Sequence, residues 1–262
     1  MVRWNWIVGV VLIVFGAITL MGIFHVFWPL LLIAVGVLIV AGATWRRGEA
    51  VREQASIPLD GAREASVRIR HGAGKLLIGA GSAPSDLLSG SFGGGLSAAQ
   101  TRDGGRLSLD MRVKDRDVSH YIFPWTRGNI GVLDWDLVLN SAIPVSLSLE
   151  TGASESRLTL TDLQVRELRV STGASATVVD LPSRAGMTRV RIESGAASVR
   201  LRIPAGVAAS ITARGALAGI RVDSARFPKS GTGDSYRSAD YDSAANRVEI
   251  LVETGVGSID IS

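Results

Sequence analysis

Residues Leu147–Leu160 read LSLETGASESRLTL. Apolar and polar residues alternate on both sides of Thr151-Gly152-Ala153, which is the period of a strand with one buried face. The phrase returns as LRVSTGASATVVDL from Leu168 and as VRIESGAASVRLRI from Val190. Looser copies are VRIRHGAGKLLIG from Val67, ITARGALAGIRVD from Ile211 and ILVETGVGSIDIS from Ile250. The marking glycines are Gly72, Gly152, Gly173, Gly195, Gly215 and Gly255. From Gly152 to Gly215 the gaps are 21, 22 and 20 residues, and the gaps to Gly72 and Gly255 are 80 and 40. A fixed period in this range is the mark of a repeat architecture.

Aligned on the glycine, apolar residues stand three and five places before it: Leu149 and Leu147, Val170 and Leu168, Ile192 and Val190. They stand again six and eight places after it: Leu158 and Leu160, Val179 and Leu181, Leu201 and Ile203. One copy cannot close a core, but stacked copies bring equivalent residues into continuous ladders. Each glycine marks a corner that needs a positive φ or a close backbone approach. The preceding Thr151, Thr172, Ser194 or Thr254 is expected to bond the turn backbone. Pro182 and Pro204, nine places past their glycines, mark a second corner, because proline has no N–H to extend a ladder. The expectation is an all-β repeat domain over 63–262, a β-solenoid or related stack of strands with rungs of about 20–22 residues. Excursions are expected near 114–134 and 226–246, and a Gly/Ser-rich loop at 82–95.

The N-terminal residues have a different period. Ile7–Phe24 and Val26–Ala43 are uncharged runs of 18 residues, near the lower limit for a membrane-spanning helix. They predict a two-helix transmembrane hairpin over 1–45, followed at 46–62 by a short linker or docking strand. Trp4, Trp6, Trp28 and Trp45 stand at the four helix ends, where amphipathic rings favour the membrane interface, and Arg46 and Arg47 follow the second helix. The positive-inside rule then predicts a multi-pass membrane protein, in contact with lipid and with both termini cytoplasmic.

Signals for chemistry are sparse. Cysteine is absent, so disulfides and thiolate sites are excluded. His25, His71 and His120 are scattered, with no Ser/His/Asp order and no HExxH helix. The pairs Asp115/Asp117, Asp134/Asp136 and Asp240/Asp242 fall short of the six or more oxygens that calcium requires. No enzyme activity, cofactor or metal is expected. The net charge of +4 does not point to nucleic acid. The outward positions Arg68, Arg70, Arg189, Arg191, Arg200 and Arg202 read as a solvated face interspersed with acids. Tyr121, Phe123, Trp125 and Trp135 form the densest aromatic group after the hairpin and are a candidate partner surface. The last strand, Gly257–Ser262, reads as an open edge. That edge, or the hairpin, is a candidate route to a homo-oligomer.

The phrase FWPLLLIAVGVLIV at Phe27–Val40 resembles the membrane segment of LiaF-like bacterial proteins, in which a Trp-Pro opens an apolar helix. WDLVLNSAIPVSLSLETGASESRLTL from Trp135, with the later TGA copies, is similar to the toast-rack domain often attached to it. The resemblance implies a non-enzymatic, membrane-anchored regulator or scaffold in cell-envelope stress sensing, placed in the bacterial inner membrane. Such a protein acts by protein–protein contacts on a membrane sensor kinase or another envelope protein. The alternative is a ligand-binding or adhesin-like module whose solenoid face recognises polysaccharide or lipid headgroups.

Overall fold

Among the described residues, twelve strands account for the regular structure: β1 (Arg52–Pro58), β2 (Glu64–Ala80), β3 (Asp86–Gly93), β4 (Leu96–Asp103), β5 (Arg106–Val113), β6 (Trp135–Leu139), β7 (Pro144–Thr159), β8 (Gln164–Asp180), β9 (Met187–Arg202), β10 (Ala208–Val222), β11 (Ser235–Arg237) and β12 (Arg247–Ile261). The structure, a computed structural model, describes residues 52–114, 133–231 and 233–262. The hairpin expected over 1–45, with Trp4, Trp6, Trp28, Trp45, Arg46 and Arg47, lies outside the described residues. The multi-pass placement in the inner membrane is corrected: among the described residues no helix is long and apolar enough to cross a membrane. The described fold is all-β.

Six long strands, each centred on one copy of the repeated phrase, pair in parallel in the order β2-β7-β8-β9-β12-β10. Each strand bends at its centre, and the bend reverses the side chains that face inward. In β7, Val145, Leu147, Leu149 and Thr151 are buried before the bend, and Ser156 and Leu158 after it. Unbroken alternation would have buried the odd-numbered residues throughout. The reversal lets both halves of a strand turn their apolar sides to one shared core. It also explains the short connections. Parallel neighbours in a flat sheet need a crossover of a dozen or more residues. Here each rung folds back on itself, so four residues suffice between β7 and β8 and six between β8 and β9.

The expected apolar ladders are formed. Leu147, Leu168 and Val190 stand in one row, and Leu158, Val179 and Leu201 in another, all at most 2% exposed. Burying each such side chain contributes about 1.5–3 kcal/mol, an upper range because unfolded chains already hide some apolar surface. The closing corner works as its prolines require. Leu181 N–H donates to the Arg202 carbonyl at 2.9 Å and Ile203 N–H to the Ser262 carbonyl at 2.8 Å, and Pro182 and Pro204 then end the ladder.

Beyond β2 the two walls separate. The first half of β2 pairs with β5, which pairs with β4; the second half pairs with β6, which leads on to β3 and β1. One expectation changes here. The segment 82–95 is mostly strand β3, held by the buried Leu87, Leu88 and Phe92. Gly90 serves close packing, because a Cβ there would lie 2.8 Å from the Leu137 backbone. The segment 46–62, expected as a linker or docking strand, contains β1, paired in antiparallel register with β3. The excursion near 226–246 holds β11, which covers the β10 edge over Ser210–Thr212, and Phe227, which is buried.

The terminal strand does not present an open edge. β12 is paired on both sides, by β9 and by β10. The long connection after β10 allows the chain to return and insert between its two predecessors, so the outer rung is β10.

Candidate functional site

The bends stack into one corner of the molecule. Gly72, Gly152, Gly173, Gly195 and Gly255 form a column along it. A Cβ on Gly173 would lie 3.1 Å from the Gly152 carbonyl oxygen, on Gly195 3.0 Å from that of Gly173, and on Gly255 2.7 Å from that of Gly195. None of these glycines has a positive φ, so close approach is what the corner requires. Gly215 leaves the column. It pairs with Thr254, one place out of phase, which puts Ala216 beside Gly255. Its 20-residue gap, the shortest in the series, carries that slip.

The residues before these glycines point inward, with the same parity as the core. Thr151, Thr172 and Ser194 therefore do not bond the turn as expected; their hydroxyl oxygens are buried with no partner among the described residues. Thr254 Oγ1 alone reaches a carbonyl, that of Val256, at 3.4 Å. His71 stands at the head of this column beside Thr151. Its Nε2 donates to the Leu133 carbonyl at 2.6 Å, which leaves Nδ1 as an unpartnered lone pair. The ring lies 5.3 Å from that of Trp135. Burial lowers the imidazole pKa from its ordinary value, against the opposing pull of the Leu133 carbonyl and Asp134.

The residues after the bend form a row on the outside. Ala153, Ala174, Ala196, Val256 and Leu217 are successive neighbours across five strands. Their size grows toward the outer rung, where Val256 of β12 is 51% and Leu217 of β10 77% exposed. Beside the row runs an open groove of about 640 Å³, lined by Ser171, Glu193, Arg214, Ala216 and Glu253 among others. Its charges are linked: Arg214 reaches Glu253 at 3.0 Å and Arg191 reaches Glu253 at 3.6 Å. The hydrogen bond to Glu193 holds the Arg191 guanidinium above its ordinary pKa.

Similar ion pairs recur along the outward faces, as between Arg68 and Glu150 at 3.7 Å, Arg70 and Asp110 at 2.8 Å, Arg189 and Glu249 at 3.8 Å, and Arg202 and Asp180 at 3.3 Å. Of the expected aromatic surface, Trp135 is a core residue. It is wholly buried, meets Phe92 edge to face at 5.0 Å and donates Nε1–H to the Gly93 carbonyl at 3.0 Å. Tyr121, Phe123 and Trp125 lie outside the described residues, as does the pair Asp115/Asp117. Asp134 caps the Lys75 N–H at 2.9 Å, and Asp242 pairs with Arg237. Among the described residues no three His, Asp or Glu side chains gather as a metal site. The corner row was missed in the sequence, although its signal was present: the place after the marking glycine is always small or apolar.

A parallel stack of bent strands, closed by proline turns and carrying its exposed features along one corner, defines an all-β repeat protein of the toast-rack type. The chain belongs to the family of the N-terminal domain of toast_rack, DUF2154, whose model matches residues 46–202. A crystal structure from Clostridium sporogenes, of a protein with a provisional cell-adhesion designation, is similar at a TM-score of 0.69 and 21% identity, covering 80% of this chain and 97% of that one. That likeness is one of fold. A provisional adhesin from Bacteroides fragilis aligns at a TM-score of 0.31 and 10% identity, over 81% of this chain and 96% of that one. No curated protein matches the chain.

Proposed function

We propose that the chain is a non-enzymatic scaffold or regulator that acts by protein–protein contacts along its bent corner. The observation that carries this reading is the exposed row Ala153–Ala174–Ala196–Val256–Leu217. Exposed apolar residues are unremarkable singly, but a contiguous run with polar borders fits a contact site. Here the run lies on a rigid ladder and ends in its two largest members. The resemblance of residues 135–160 to toast-rack domains beside LiaF-like segments supports a setting in cell-envelope stress sensing, with a sensor kinase as the partner class. Photo-crosslinking residues placed in turn at Ala174, Val256 and the outward control Arg200 test this in the native host. The expected result is kinase adducts from the first two positions and not from the control. Equal yields, or none, at all three would remove the corner from the reading.

The groove beside the row favours a second reading, as a ligand-binding module. Glu193, Glu253 and Arg214 offer acceptors and donors suited to a polyhydroxylated chain such as a polysaccharide. Saturable binding of soluble envelope polysaccharide, abolished by Glu253→Gln, would favour it.

A further inference from the structure

The outer rung is unfinished on one wall. β11 covers the first half of β10 over Ser210–Thr212, and the Ala213 N–H donates to the Asp234 carbonyl. From Ala216 to Val222 the same strand is paired only by β12 on its inner side, and no strand lies on its outer side among the described residues. Ala218, Ile220 and Val222 on its inward face are half-buried, whereas their row neighbours Ile259 and Ile261 on β12 are 1% exposed. Leu217 stands exposed at the start of the same edge. An edge of this kind, unpaired, rich in Gly and Ala and free of proline, is the form that accepts an added strand.

Charge indicates what that strand must carry. Along this protein's outward faces, arginines are repeatedly met by an acid on a neighbouring strand, as in Arg202 with Asp180 and Arg189 with Glu249. At the edge, Arg221 meets Asp260 of β12 at 3.7 Å, yet its side chain is still 86% exposed and, among the described residues, has no strand on its other side. We propose that Ala216–Val222 is a strand-addition site for an extended segment of a partner protein. That segment alternates apolar residues, which complete the core over Ile220 and Val222, with an acidic residue opposite Arg221. The proposal rests on the reading of the chain as a protein that works by protein contacts, and it places one such contact at the edge instead of the corner row.

β12 is the pattern for such a strand, because it pairs with β10 in register and sets Asp260 opposite Arg221. The probe is therefore a fluorescent synthetic peptide with the sequence of Thr254–Ser262, titrated with the full chain by anisotropy. Saturable binding is expected, weakened about two- to fivefold by Arg221→Gln in the protein or by Asp260→Asn in the peptide, the range of an exposed ion pair. The two changes together should cost no more than either alone, the mark of direct coupling. Leu217→Lys should abolish binding while the circular dichroism spectrum stays unchanged. No saturable binding to the folded chain, or binding indifferent to both charge changes, overturns the proposal. So does a self-associated chain in sedimentation that Leu217→Lys dissolves, because the edge is then occupied by a second copy. Corner-row crosslinks report separately: adducts at Val256 without peptide binding would leave the scaffold reading standing and remove only the edge.

Discussion

His71 replaces the threonine or serine that β7, β8, β9 and β12 carry before the marking glycine. The exchange turns a short hydroxyl into a ring that can reach the Leu133 carbonyl and lie against Trp135. It also gives the fold a titrating group. Burial lowers the folded pKa, while the unfolded imidazole titrates near 6.5. Above that value both states are neutral and the group contributes nothing to pH dependence. As pH falls below it, the unfolded chain binds a proton that the folded chain refuses, so stability declines toward acid, with a slope of at most about 1.4 kcal/mol per pH unit. Urea unfolding of the chain and of His71→Thr between pH 5 and 8 checks this. The native chain should lose stability below about pH 6.5, and the variant should show a flatter profile there.

Each bend is an element with its own tolerance, and the glycines rank it. Gly257, at φ +133°, would drive a Cβ into the Ala197 carbonyl oxygen, and Gly152 would drive one into that of Gly72. Gly173 and Gly195 stand at 3.1 and 3.0 Å from the facing oxygen, within reach of a small shift, and Gly219 faces open space. Substitution by Ala should therefore cost most at Gly257 and Gly152, about 1–3 kcal/mol as for other overpacked sites. The cost should be smaller at Gly173 and Gly195, and Gly219→Ala should be neutral or stabilising by a few tenths of a kcal/mol. Urea midpoints read at constant m-value give the order. The strands themselves were legible, because period-two alternation survives in each half and the phrase marks its own centre. The reversal of parity at the bend was implicit in the spacing, since −3 and −5 are odd steps from the glycine and +6 and +8 are even. Trp135 was misread for a physical reason: one aromatic beside a polar excursion looks the same whether it faces solvent or, as here, Phe92. The threonines were misread because turn chemistry was credited to a position whose direction the core decides.

At the scale of the whole molecule the stack is nearly one-dimensional, so stability should vary along it. Amide exchange is expected to be slowest in β7, β8 and β9, which have long partners on both sides, and faster in β1, β4 and the outer half of β10. Uniform protection from β1 to β10 would contradict that picture. Neighbour order is what period alone could not reveal. Copies at 211 and 250 follow one another in sequence, yet their strands lie in reversed order, because the long connection between them lets the later copy enter first. The family match ends at residue 202, before that inversion begins. The inversion has a consequence for biosynthesis. A ribosome delivers Ala208–Val222 before Arg247–Ile261, at about 5–20 residues per second. During that interval the exposed β9 edge has the wrong neighbour available. A nascent β10 that docked there would have to be displaced by β12 before the stack could take its native order.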